Sequence, residues 1–146
     1  MPRINEYRCS KCDLSLPKGW GYQFYVENDE GKRIPCFHPR ERYDVKQVLG
    51  ERASLLEVVR ERTGFNSHCT CLDCLHQFEA DLGESGWSPY EGYIDDYKPR
   101  LKQGKDKREC PKCKSKSVKT ELEMVGEQCP KCKEGIIEEI RTGRIS

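Results

Sequence analysis

Eight of the ten cysteines stand as four Cys-x-x-Cys pairs: Cys9/Cys12, Cys71/Cys74, Cys110/Cys113 and Cys129/Cys132. A tight turn across such a pair aims two sulfurs at one point in space. Two pairs therefore supply the four corners of a tetrahedral metal site. Four pairs predict two such sites, with metal rather than a large apolar core as the organiser of the fold. The composition agrees, since hydrophobic and charged residues each make up 35% of the 146 residues. That balance leaves little apolar surface for one generous core and favours small stapled modules. The fold class expected is small α+β, metal-stapled, with two zinc-ribbon-like modules of short antiparallel strands and one helix inserted in the N-terminal module.

No run of 18 apolar residues is present, so no membrane-spanning helix is expected. Residues 1–12 contain no apolar stretch of the secretory type. The expected setting is cytoplasmic, where reducing conditions keep thiols free and paired cysteines serve as metal ligands rather than disulfides.

The chain reads as three consecutive parts. Residues 1–82 form an N-terminal module, residues 83–109 a connector, and residues 110–146 a C-terminal module. In the first, Tyr22–Val26 and Lys32–Phe37 flank Asn28-Asp-Glu-Gly31, a hairpin pattern. Asp44 is a candidate N-cap for a helix that restarts near Gly50, carries Leu55, Leu56, Val58 and Val59 on its apolar face, and ends at Gly64. In the connector, Ser88-Pro-Tyr-Glu91 matches a capping box, placing Tyr90, Tyr93 and Tyr97 on one face of a short helix. In the last part, Ser117–Val125 and Gly135–Ile140 read as strands.

For the metal sites, Cys110, Cys113, Cys129 and Cys132 form the closest set in sequence. Cys110-Pro-Lys-Cys113 and Cys129-Pro-Lys-Cys132 are the same tetrapeptide, separated by 15 residues. The other two pairs then leave Cys9, Cys12, Cys71 and Cys74 as the second set. Two Zn²⁺ ions are expected. Cys36, His38, His68 and Cys69 are candidate ligands for a third, and their alternative reading is buried small cysteines beside ordinary histidines. Four thiolates close a site to catalysis, so an open catalytic metal would have to be built from His38, His68 and His76.

Residues 110–140, with their paired tetrapeptides, resemble a zinc ribbon. The resemblance implies two knuckles bringing three short antiparallel strands onto one zinc. It also implies a setting among transcription factors, small RNA polymerase subunits, ribosomal proteins, topoisomerases and other nucleic-acid proteins. Zinc ribbons carry Gly just after the second cysteine of a knuckle, where φ is positive. Lys114 and Lys133 stand there in this chain, with Gly135 two residues later, at a cost of about 1 kcal/mol each.

The formal charge of +1 is unevenly spread: residues 98–119 hold ten Lys/Arg against two Asp/Glu. Arg100, Lys102, Lys105, Lys107, Arg108, Lys112, Lys114, Lys116 and Lys119 in this block are the candidate DNA or RNA phosphate contacts. The leading functional expectation is a non-enzymatic zinc-binding module that touches nucleic acid or a nucleic-acid-processing complex. The alternative is a protein–protein adaptor using Tyr90, Tyr93, Tyr97 or ribbon edge strands, and a third is a metal-dependent nuclease or hydrolase on the three histidines.

Overall fold

The computed structural model describes residues 3–19, 22–83 and 104–145. The capping box at Ser88, the face of Tyr90, Tyr93 and Tyr97, and the cations Arg100 and Lys102 lie outside the described residues. In chain order the elements are β1 (Arg3–Cys9), β2 (Ser15–Gly19), β3 (Tyr22–Glu27), β4 (Arg33–Pro35), α1 (Glu41–Leu49), a 3-10 turn (Gly50–Ser54), α2 (Leu56–Arg62), β5 (Thr63–Cys71), β6 (Gln77–Ala80), β7 (Val118–Thr120), α3 (Glu121–Met124) and β8 (Ile137–Ile145). The fold is small α+β with antiparallel strand pairs, as the composition led one to expect.

The chain divides into two compact units, each discontinuous in sequence. One comprises residues 1–22, 67–80 and 107–146, the other residues 23–66 and 81–106. The sequence reading expected consecutive modules bounded at residues 82 and 109. Local motifs suggest such cuts, but strand pairing between distant segments decides which residues pack together.

In the first unit β1 is central, with β2 on one edge and β8 on the other. The β1–β8 register runs from Arg3↔Ile145 to Cys9↔Ile137. The second half of β5 pairs with β6 (Cys69↔Phe78) and with β7 (Cys71↔Val118). The core gathers Tyr7, Leu14, Leu16, Met124 and Ile137 around Cys9 and Cys129.

The expected hairpin of the second unit is present as β3–β4, with Tyr25↔Pro35 and Glu27↔Arg33. Its turn is held by Asn28, whose Oδ1 accepts the Glu30 and Lys32 N–H groups, while Gly31 supplies φ +79°. Phe24, Tyr25, Val26, Val45, Leu49, Val59 and Phe65 are buried, and Phe24 meets Phe65 edge-on at 5.1 Å. A polar network pins residues 104–106: the Tyr25 hydroxyl donates to Asp81 at 2.7 Å, and the Asp81 carbonyl accepts the Lys105 and Asp106 N–H groups. Arg33 clamps Asp106 through two hydrogen bonds of 2.6 and 3.0 Å.

Several local expectations change. The helix begins at Glu41 rather than Asp44, whose carboxylate accepts the Phe37 N–H. Of the predicted apolar face only Val59 is buried; Leu55 and Leu56 are exposed. The helix does end just before Gly64, at Arg62 with Thr63 as its C-cap, but Gly64 itself lies in β5 without positive φ, and a Cβ there would stand 2.5 Å from the Tyr25 hydroxyl. The strand expected over Ser117–Val125 stops at Thr120, which starts α3 through a capping box with Glu123.

Glu121, the first residue of α3, is 1% exposed and neither carboxyl oxygen has a hydrogen-bond partner. Burial pushes its carboxyl up to about 8. The folded state therefore penalises the ionised form: there is no cost below about pH 4, a cost that grows as pH rises, and the full cost above about pH 8. Glu121→Gln should stabilise the protein by on the order of 4 kcal/mol at pH 9 and by a smaller margin at pH 6. Urea unfolding at both pH values checks this, and a pH-independent difference would count against it.

Candidate metal centres

Each Cys-x-x-Cys turn is a knuckle closed by its own backbone. The N–H of the first cysteine donates to a carbonyl beyond the second: Cys9 to Leu14, Cys71 to His76, Cys110 to Ser115 and Cys129 to Gly135, at 2.8–2.9 Å. Backbone N–H groups also point at sulfur. Lys11 and Cys12 donate to Cys9, Lys112 and Cys113 to Cys110, Lys131 to Cys129 and Gly135 to Cys132, at 3.3–3.4 Å. Such donors favour thiolate, the metal-binding form. At Cys132 the N–H groups of Gly135 and Glu134 bring the thiol down to about 6. At Cys110 burial acts upward, but the N–H groups of Cys113 and Lys112 outweigh it and the thiol falls to about 7.

Three knuckles turn at a non-glycine residue with positive φ immediately after the second cysteine: Leu75 at 64°, Lys114 at 66° and Lys133 at 64°. The two lysines stand where the spacing placed them; Leu75 makes the same turn after Cys74. In each, the N–H of that residue returns to the carbonyl of the first cysteine, at 2.9–3.1 Å.

All eight knuckle cysteines assemble into two tetrads, Cys9/Cys12/Cys129/Cys132 and Cys71/Cys74/Cys110/Cys113, with the sulfurs of each within 4.8 Å of one another. The pairing expected from sequence, Cys9/Cys12 with Cys71/Cys74 and Cys110/Cys113 with Cys129/Cys132, is not the one formed. The tetrads are nested. Strand register is the reason: β1–β8 pairing sets Cys9 opposite Ile137 and brings knuckle 129–132 to knuckle 9–12. Likewise β5–β7 pairing sets Cys71 opposite Val118 and brings knuckle 110–113 to knuckle 71–74.

Polar contacts latch the same partners. Lys131 pairs with Asp13 across the outer tetrad, and the Ser115 hydroxyl donates to Asp73 across the inner one. Gly135 packs so closely that a Cβ would lie 2.5 Å from the Cys9 sulfur, which leaves glycine as the residue that fits.

The closest inter-knuckle sulfurs are Cys9–Cys132 and Cys12–Cys129 at 3.6 Å, Cys71–Cys113 at 3.5 Å and Cys74–Cys110 at 3.6 Å. A tetrahedral ion with metal–sulfur bonds of about 2.3 Å has sulfur–sulfur edges of about 3.8 Å. The donor set and its size thus fit a four-coordinate metal, and four thiolates leave no open position on it. The outer tetrad sits in the core with Tyr7, Leu14 and Ile137, whereas the inner one presents Cys113 to solvent.

The surplus ligands go elsewhere. Cys36 and Cys69 are buried, and their thiols donate to the Ile34 and Ser67 carbonyls. Burial pushes the Cys36 thiol up to about 12. His38 contacts Glu41 at 3.1 Å, His68 faces Glu79 at 3.7 Å, and His76 stacks on Phe78. Burial lowers His68, against the pull of Glu79. None of the five belongs to a metal-holding group among the described residues. Cys36, His38, His68 and Cys69, expected for a third site, are not gathered into such a group among the described residues.

The candidate phosphate contacts also divide. Lys105 donates to the Glu61 carbonyl at 2.7 Å and faces Glu27 at 3.4 Å, and Arg108 joins Val118 to Glu123. Both hold the fold together. Among the described residues, Lys107, Lys112, Lys114, Lys116 and Lys119 make no ion pair, and neither does Lys133, which the sequence reading had not counted among the phosphate contacts. No helix among the described residues is long and apolar enough to cross a membrane.

Comparison with models of known protein families, with curated proteins and with solved structures returns no match.

The nested pairing has a direct test. Cys12→Ser with Cys132→Ser removes ligands from the outer tetrad alone, so the double variant should retain one metal per chain. Sequential pairing would damage both sites, and metal analysis separates the two results. Leu75→Gly should raise stability by about 1 kcal/mol, the reverse of the usual glycine effect, by relieving positive φ. Denaturant unfolding of the metal-loaded protein measures it.

Proposed function

We propose that this protein is a non-enzymatic module, stapled by two Zn²⁺ ions, that contacts nucleic acid through lysines on and beside its knuckles. Zinc is the ion assigned because closed, tetrahedral, all-thiolate sites suit it and because such a site contributes to folding outright. Its binding free energy, of order 10 kcal/mol or more, outweighs three positive-φ turns at about 1 kcal/mol each.

The observation that carries the nucleic-acid reading is the division of the cations. Arg33, Arg52, Arg62, Lys105, Arg108 and Lys131 are in ion pairs. Lys112, Lys114, Lys116, Lys119 and Lys133 belong to the unit that holds both cysteine tetrads and have no acidic partner among the described residues. Positive charge with no acidic partner among the described residues is therefore held on the knuckles 110–113 and 129–132, just after them, and on β7. The overall charge gives no such help: eight thiolates and two Zn²⁺ turn the formal +1 into −3. Attraction to phosphate has to be local, short-ranged and strongly salt-dependent.

The test is fluorescence anisotropy of a labelled 20-nucleotide single strand against salt. Five phosphate contacts predict a loss of about 100-fold in affinity between 50 and 200 mM salt. Changing the five lysines together to Gln should remove this salt-sensitive binding while two zinc ions per chain remain. A variant that binds with unchanged affinity and salt slope would sink the proposal.

A further inference from the structure

A cleft of about 200 Å³ opens within the metal-bearing unit. Leu72, from knuckle 71–74, and Pro130, from knuckle 129–132, form apolar walls, and Met124 of α3 lines it too. Lys119 and Lys133, both without acidic partners among the described residues, line it with Glu127. The cleft thus takes one wall from a knuckle of each tetrad. Each knuckle is closed within its own four-sulfur group, and Leu72 packs against the core cluster that holds Cys129, so the cleft is preformed.

Its size restricts the occupant. Cofactor and drug-sized pockets run from about 300 to 1,000 Å³, and this one is smaller. It suits a single flat group resting against the Leu72 side chain and the Pro130 ring. Two ammonium groups with no acidic partner among the described residues suit anionic charge beside such a group. Glu127 disfavours a second anion inside the cleft, yet its carboxylate can accept hydrogen bonds from an exocyclic amine. A flat, amine-bearing ring with a negative charge on each flank is a nucleotide within a strand.

We infer that the cleft admits one unstacked base of a single-stranded nucleic acid, with its flanking phosphates on Lys119 and Lys133. The inference rests on the nucleic-acid reading above and narrows its ligand to unpaired strands. In a duplex the base is stacked and paired, and freeing it costs a few kcal/mol, so duplex of the same sequence is disfavoured. Sequence preference is weak, since apolar walls receive any base face.

Three probes test this on the full zinc-loaded chain: a 12-nucleotide single strand, its duplex, and the single strand with central abasic positions. The intact strand should bind at least about tenfold more tightly than the duplex or the abasic strand. Leu72→Ala should weaken single-strand binding about fivefold while leaving the salt slope and zinc content unchanged, because it removes a base wall and no phosphate contact. Lys119→Gln with Lys133→Gln should instead lower the slope by about 1.4.

Equal affinity for all three probes, abolished by the five-lysine variant, would overturn the cleft assignment and leave the broader reading standing. No salt-sensitive binding to any probe would overturn both. A poly-glutamate peptide that displaces the strand at matched charge, with the abasic strand bound as well as the intact one, would give the cleft to carboxylates and overturn the base assignment.

Discussion

The antiparallel register of β1 with β8 is the contact on which the metal-bearing unit depends. It joins residues 3–9 to residues 137–145, sets Cys9 opposite Ile137, and so determines which knuckle meets which. Closing a loop from Cys12 to Cys129 spans 116 intervening residues, whereas Cys74 to Cys110 spans 35. Loop entropy grows only logarithmically, so the longer closure costs on the order of 1 kcal/mol more. A sheet edge and a buried cluster around Cys9 and Cys129 readily offset that. Coordination of a metal by these sulfurs and strand pairing would reinforce each other, because each fixes the geometry the other requires.

The second unit is held by different means. Its core is conventional, with Phe24 against Phe65, and its margin is sewn by charge. Asp106 takes two hydrogen bonds from Arg33 and one from the Asp81 N–H, and these hold its carboxyl below the usual carboxylate range although burial acts the other way. Arg33 also lies over the Tyr25 ring at 4.7 Å. The two units thus differ in what can stabilise them: two four-cysteine groups that fit a metal in one, hydrogen-bonded ion pairs and aromatic packing in the other. The spare lysines belong to the first.

Much of this was legible in the residues, for identifiable reasons. Cys-x-x-Cys spacing carries its own geometry, so the eight ligands and the positive φ of Lys114 and Lys133 could be read locally. The Asn28–Gly31 turn was likewise local. What could not be read was the partner of each knuckle, because a 15-residue gap permits adjacent pairing and nothing nearby records the register of β8 on β1. Other signals were present and passed over. Thr120-Glu-Leu-Glu123 is a capping box hidden inside an alternating pattern, and Leu75 follows Cys74 just as Lys114 follows Cys113. Gly64 shows the opposite difficulty: its small size serves a hydroxyl 39 residues earlier in sequence, on Tyr25.

Nesting also changes what a break in the backbone would do. Were the knuckles joined in order, one cut anywhere from residue 75 to residue 109 would part the chain into two independent pieces. With Cys9/Cys12 clasped to Cys129/Cys132, and Cys71/Cys74 to Cys110/Cys113 inside them, every peptide bond from residue 13 to residue 128 lies within a closed ring. With both tetrads filled by metal, a nick in that span would leave the halves tethered through sulfur and metal. Coordination would then stand in for covalent continuity over most of the chain, and integrity would pass from the peptide bond to the occupancy of two ions.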